Sequence, residues 1–503
     1  MYFLLACLTP LYFGALISYR LFFHPLRNYP GPALAAITDS YEAYYNVIKD
    51  GALVAKLEAL HRQHGPIVRI GPNTLHFNDK HAYHDIYTYG TTLTKEPEFY
   101  LGVSAHGTQT SVSFCDPQEA KERRALLGPL FSRKAVMELE YTVQKKIDKL
   151  VTVLADNHKS EKSAVAMDVA FRACTIDLIT SYCFAESTNV LEVPNFAHYI
   201  MPVLQLIFTN VWSQRHFPLI SSLANSAPQK LVLWLFPDFR VYAELTGRYE
   251  RQINRIMKDP DSASTAEHKT VFHHLLDSRD QKPLSQQSLV HEAFTLVGAG
   301  TETTASACTV GTYHALKDGS IRQRLFEELR DAWLDADRPM SYAALEKLPY
   351  LTAFIKETLR FSIGVIHPLP RVTGPETPMI GGVKIPKGTV VEMSQLFLHM
   401  NPDVFPNPYN FNPDRWLVED TTDMMLDLVP FSKGPRIWCV YFGSVLPMLK
   451  CPPVWESRSL AWCELYLIFG NIFRRLDMKL VVTEDTYVSP ISIVIDDEGF
   501  NLT

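Results

Sequence analysis

The sequence predicts a mainly α fold with small β-sheets (α+β), and three observations carry that reading. Long stretches show apolar residues at helical spacing, above all 286–317 and 164–187. Strand-like runs are few and short, Ile67 to Ile70 and Thr74 to Phe77 about Gly71-Pro72-Asn73, then 383–385 and 389–393 about Pro386-Lys387-Gly388. No internal repeat or low-complexity linker divides 33–503, so despite 503 residues that span is expected to be one domain. The chain is 47% hydrophobic and 20% charged, with net charge −6, so nucleic acid is not an expected partner. Its eight cysteines lack paired metal or disulfide spacing, which predicts mostly reduced, buried thiols.

Met1 to Ile17 carries no charge, and Arg20 and Arg27 follow it. This predicts a membrane anchor helix over 1–23 with its basic end in the cytosol. Pro25, Pro30, Gly31 and Pro32 neither continue a helix nor join a sheet, so 24–32 reads as a stiff hinge. Leu53 to His64 has helical period and ends at Gly65-Pro66. Asp116-Pro117 can cap a helix that runs to about Ser132, on which Arg123 and Arg124 read as a solvated pair. Helices are expected at 135–156 and 164–187, the second nearly all apolar and therefore central. From Val190 to Asp238 the chain is rich in Phe, Trp, Leu and Pro, which suggests irregular helices lining a pocket or touching lipid.

The helix over 286–317 breaks its own local rules at Ala299-Gly300-Thr301-Glu302-Thr303-Thr304. Glycines and β-branched residues in mid-helix cost stability, about 1 kcal/mol for each glycine. Such a conflict inside a strong element points to function. Small residues admit a flat group, and a carboxylate beside a hydroxyl can move protons. Helices at 319–335 and 342–361 follow, the latter placing Glu357 and Arg360 three apart on one face. Asn401 to Trp416 reads as ordered coil from which Arg415 can reach a buried carboxylate.

In this order the motifs resemble those of a membrane-anchored cytochrome P-450, a haem-thiolate monooxygenase of the kind found in fungal secondary metabolism. They are Phe23-His24-Pro25-Leu26, Ala299-Gly300-Thr301-Glu302-Thr303-Thr304, Glu357-Thr358-Leu359-Arg360, Phe411-Asn412-Pro413-Asp414-Arg415-Trp416 and Phe431-Ser432-Lys433-Gly434-Pro435-Arg436. The resemblance covers essentially the whole chain. It implies haem held between the long central helix and the cysteine-loop helix, with an axial cysteine thiolate that favours O–O cleavage. It implies that Arg124, Arg371 and Arg436 bind the propionates, with Phe431 and Gly434 shaping the cysteine loop. It implies that Ala299 and Gly300 leave space above the haem, and that Thr303 and Glu302 deliver protons to bound dioxygen. Glu357, Arg360 and Arg415 would form a buried network supporting the coil. The implied activity inserts one oxygen atom from O₂ into a hydrophobic secondary metabolite, a terpenoid or polyketide. Pocket lining is expected around 99–115, 200–240, 294–303 and 362–370. No dinucleotide fingerprint is present, so electrons would come from a separate NADPH-cytochrome P-450 reductase. The expected location is the endoplasmic reticulum membrane, single-pass, with a cytosolic catalytic domain.

The cysteine loop departs from that pattern. The family's cysteine comes two residues after the loop arginine, where this chain has Trp438; Cys439 stands one place later. The spacing from Arg436 to Leu460 is 17 residues longer than the pattern, making 437–458 an atypical insertion. Three readings stay open: Cys439 ligates through a remodelled loop, with Cys451 the next candidate; the chain is an impaired homologue that does not bind haem productively; or the insertion is translated non-coding sequence in a faulty gene model.

Overall fold

The computed structural model describes the whole chain except residues 1, 104–108, 162–163, 238, 260–267, 278–283, 435–459, 482–491 and 496–503. Its centre is the helix Gln286–Lys317, called the central helix below, which begins where the Ser285 side chain accepts from the Ser288 amide. Against it lies Met167–Phe184, the partner helix, sixteen of whose residues are buried. Helices Arg133–Glu161, Gly319–Ala332, Pro349–Phe361 and Leu460–Arg475 (the C-terminal helix) complete this body. Their apolar faces merge into one core that includes Phe171, Ile179, Leu296, Phe354 and Phe469. The helix expected over 342–361 is two pieces, Tyr342–Leu345 and Pro349–Phe361. Pro349 has no amide hydrogen to continue the first and sits naturally at the first turn of the second.

Ten strands are present among the described residues: β1 Ile67–Arg69, β2 Thr74–Phe77, β3 Thr94–Lys95, β4 Val165–Ala166, β5 Arg371–Val372, β6 Met379–Ile380, β7 Val383–Lys384, β8 Val390–Glu392, β9 Met478–Leu480 and β10 Ser492–Ile495. The main sheet has the order β1-β2-β8-β5-β3 and packs on a second core containing Leu57, Phe77, Tyr83 and Val391. Pairing of β2 with β8 is parallel; β5 pairs antiparallel with β8 and with β3, which sets Lys95 opposite Arg371.

Among the described residues no helix is long and apolar enough to cross a membrane, so the spanning anchor expected over 1–23 is not confirmed. The first α-helix, Tyr2–Ser18, has 17 residues. At 1.5 Å per residue it is about 26 Å long, short of the roughly 30 Å hydrocarbon thickness. Beyond Ser18 the backbone widens into a π-turn, Tyr19–Phe23, docked on the body: Arg20 donates to the Ile37 carbonyl, and Arg69 Nη1 donates to the Arg20 carbonyl at 3.0 Å. Leu11, Phe13, Phe22 and Phe23 nevertheless stay exposed. The aromatic stretch after Val190 resolves into helices Ile200–His216, Pro218–Ser226 and Gln229–Leu235, with Leu219, Ile220, Leu223 and Trp234 exposed.

Candidate functional site

Helical geometry sorts the motif residues of the central helix onto different faces. Thr301 is fully buried towards the partner helix, where its carbonyl accepts from Thr175 Oγ1 at 3.3 Å. At 100° per residue Glu292, Leu296, Ala299 and Thr303 form a stripe on the opposite face. Gly300 lies on a flank, where an added Cβ would stand 3.0 Å from Ile179 Cγ1. Its missing side chain thus lets two helices close on each other, a task different from the open space the sequence suggested. Glu302 lies on the other flank and accepts from Arg172 Nε at 2.9 Å; Arg172 also holds Asp168 at 3.0 Å. Thr303 Oγ1 donates to the Ala299 carbonyl at 2.8 Å, and the loop at Gly364 closes over its methyl. Glu302 and Thr303 are therefore neighbours in sequence on different faces, the carboxylate tethered and 28% exposed, the hydroxyl on the stripe.

Below the central helix, Glu357 and Arg360 are wholly buried and Arg415 nearly so. Glu357 accepts from Arg360 Nε at 3.0 Å and Nη2 at 2.8 Å, from Arg415 Nε at 3.0 Å, from Trp416 Nε1 at 2.9 Å and from the Asn412 amide at 2.9 Å. Arg360 Nη1 donates onward to the carbonyls of His399 and Pro408. One carboxylate thus ties the helix Pro349–Phe361 to the coil that leads to Phe431. Phe431 packs on the main core.

A second cluster gathers about residues 87–89. Arg371, 3% exposed, lies 5.2 Å from the Tyr87 ring centroid and 5.6 Å from that of Tyr100. Its Nη1 donates to Tyr100 Oη at 2.5 Å and to the Pro370 carbonyl at 3.0 Å. Gly434, at φ +79°, is so close that an added Cβ would meet the Tyr87 carbonyl oxygen at 3.0 Å. Burial raises the pKa of Tyr89 while the charge of Arg124 opposes that rise. Arg371 and Gly434 are thereby brought to one short segment, at whose end Tyr89 feels the charge of Arg124. Every hydrogen-bond acceptor of the Arg371 guanidinium is neutral, and among the described residues it has no carboxylate partner. An isolated buried charge is costly, so the cluster fits an anionic group such as a haem propionate. Arg436 and Cys439 lie outside the described residues, as does the insertion 437–458.

Sequence reasoning misread Arg123 as solvated. It is 5% exposed and pairs with Glu292, itself fully buried, at 2.6 Å. A signal existed, since Arg123 stands three after Ala120 and four before Leu127, both on the buried face of the helix Pro117–Leu127. Glu464 on the C-terminal helix was also missed. Burial pushes its carboxyl up to about 8, while a hydrogen bond with Thr304 works the other way. Four of the free thiols, Cys174, Cys183, Cys308 and Cys463, are buried.

A family model described as Cytochrome P450 matches residues 44–440. Among curated relatives, a cytochrome P450 monooxygenase of Eupenicillium brefeldianum is 32% identical over 96% of this chain and 94% of its own length. A tryptophan 6-hydroxylase of Fusarium equiseti is 34% identical, over 93% of this chain and 89% of that protein. An N-acetyltryptophan 6-hydroxylase of Emericella nidulans is 33% identical, over 96% and 92%.

Proposed function

Since the chain belongs to the cytochrome P450 family and is a monooxygenase by that membership, we propose that it inserts one oxygen atom from O₂ into a C–H or C=C bond of a hydrophobic secondary metabolite. A terpenoid or polyketide fits an apolar pocket; the tryptophan-hydroxylating relatives make an aromatic amine the second class. Electrons would come from a separate NADPH-dependent reductase. We further propose one catalytic domain over 33–503 behind the hinge 24–32. It would be held at the cytosolic side of the endoplasmic reticulum membrane by the exposed apolar residues Leu11, Phe13, Phe22 and Phe23.

The family's cofactor is haem with a cysteine thiolate ligand, which activates dioxygen when bound. The observation that carries its assignment here is the buried Arg371 guanidinium, whose acceptors among the described residues are all neutral oxygens. In this reading Arg371 and Arg124 hold the propionates, since guanidinium stays charged and donates in pairs to carboxylates. Gly434 sets the approach of the ligand loop, and Cys439 supplies the thiolate. On the distal side Ala299 keeps the stripe low so that substrate can approach. Thr303 offers its hydroxyl at the reacting end, and Glu302, partly exposed and steadied by Arg172, exchanges protons with water and passes them inward. The network around Glu357 keeps the coil behind the loop in place.

A second reading, a homologue impaired at the cysteine loop, is favoured by the end of the family match at residue 440, inside the irregular stretch. The absorption spectrum of the reduced, CO-bound protein decides between them. A thiolate-type Soret band that Cys439→Ala abolishes supports the enzyme, and its persistence moves the ligand to Cys451. Absence of the band from the full chain overturns the assignment. Transcript sequence across codons 430–465 then tells whether the insertion is translated.

A further inference from the structure

Glu292 stands at 0% exposure with no role in the chemistry described above. Its Oε2 accepts from Arg123 Nη1 at 2.6 Å and from the Ser111 amide at 3.0 Å; its Oε1 accepts from Ser111 Oγ at 2.5 Å. Arg123 Nη2 donates to Ser288 Oγ at 2.7 Å, and that hydroxyl donates to the Gln109 carbonyl at 2.9 Å. The Phe114 ring lies 5.3 Å from the Arg123 guanidinium. Within 110–114 the chain is a closed turn: Ser113 Oγ accepts from the Thr110 amide at 2.9 Å and the Phe114 amide donates to the Thr110 carbonyl at 3.1 Å. The turn is a unit, and the Glu292 carboxylate fastens it to the central helix.

Position along the helix gives this fastening its meaning. Ala299 is seven residues after Glu292 and Thr303 eleven, so all three share a face at axial offsets of about 10 and 16 Å. The partner helix occupies the opposite face through Thr301 and Gly300. On the face turned away from the partner helix the loop at Gly364 covers Thr303 at one end, and the turn 110–114 covers Glu292 at the other. Leu296 and Ala299 lie between the two covers. A buried ion pair is weak support for stability and is better suited to fixing register, and here it fixes the turn 110–114 against the central helix.

We propose that Glu292 is a positioning residue of the substrate pocket: by fixing the turn 110–114 over the stripe Leu296–Ala299–Thr303, it sets the size and seating of the hydrophobic molecule held there. The inference rests on the haem-site reading above. It predicts sensitivity of large ligands and indifference of small ones, which a general stabilising role does not.

The test uses haem-loaded full-length protein titrated with imidazole, which needs only the iron, and with 1-phenylimidazole, which also needs the wall. Glu292→Ala is expected to weaken 1-phenylimidazole about tenfold, the equivalent of about 1.4 kcal/mol, with imidazole affinity and haem content unchanged. Hydrogen exchange should quicken at amides 110–114. Ser288→Ala, which removes only the two hydrogen bonds of the Arg123-to-Gln109 bridge, keeps the question open to test should Glu292→Ala fold poorly; it should act in the same sense, at least about threefold. Equal weakening of both azoles, or no change in either, overturns the proposal while leaving the haem site standing. A wild-type chain that takes up no haem overturns both.

Discussion

Replacing Glu357 with Gln would keep the shape of the side chain and remove the one negative charge between two arginines. Glu357 and Arg360 are 0% exposed and Arg415 is 8% exposed, so water cannot take over from the lost carboxylate. Breaking a buried pair by removing one partner costs about 3–5 kcal/mol, and two stranded guanidinium groups place this substitution at about 5 kcal/mol. An unfolding entropy of about 2.1 cal/mol/K per residue, taken over 503 residues, gives about 1 kcal/mol/K, so Tm should fall by about 5 °C. Calorimetry on the purified full-length protein at low and at high salt measures this. The fall should persist in salt, because screening acts on exposed charges and far less on buried ones. A fall below about 1 °C, or one that salt abolishes, would refute the reasoning that this carboxylate is the hub of the coil.

Arg371→Met should push two measurements in opposite directions. Removing a buried cation that has only neutral acceptors is expected to stabilise the haem-free protein by about 1–2 kcal/mol, while haemin affinity falls at least tenfold; movement of both in the same direction would contradict the assigned role. Glu464→Gln bears on pH. Glu464 is pushed up to about 8 from an ordinary 4.5, so the folded state keeps a proton that the unfolded state releases between those values. Its contribution is full below about 4.5 and is lost as pH rises to about 8. The variant should therefore show a flatter decline of urea midpoint over that window, and an unchanged slope would count against the buried acid.

Local signals reached some of this architecture and left other parts hidden. The central helix was legible from 286 to 317 because its period and its rule-breaking middle both lie within the segment. The turn at Gly71-Pro72-Asn73 likewise announced the pairing of β1 with β2. No local pattern could announce that β2 runs parallel to β8 more than three hundred residues later, since such register is set by the packing of the finished sheet. In the site, residue types suggested the Glu357 hub, yet Trp416 as a further donor to it depends on where the coil turns. Arg123 was misread because adjacent charges look solvated until the helical period is drawn, and Gly300 because a small residue says that something approaches closely without saying what.

Gly434 and Leu460 are held by contacts that owe nothing to the chain between them, the first against the backbone of Tyr87 and Thr88, the second inside the helical core. They act as two posts whose spacing the rest of the molecule sets. A longer chain strung between fixed posts adds only the slowly growing entropy of a larger loop, under about 1 kcal/mol for each doubling of length. By that measure a change of length between these posts costs the fold around them little, so stability alone is a poor reporter of what stands there.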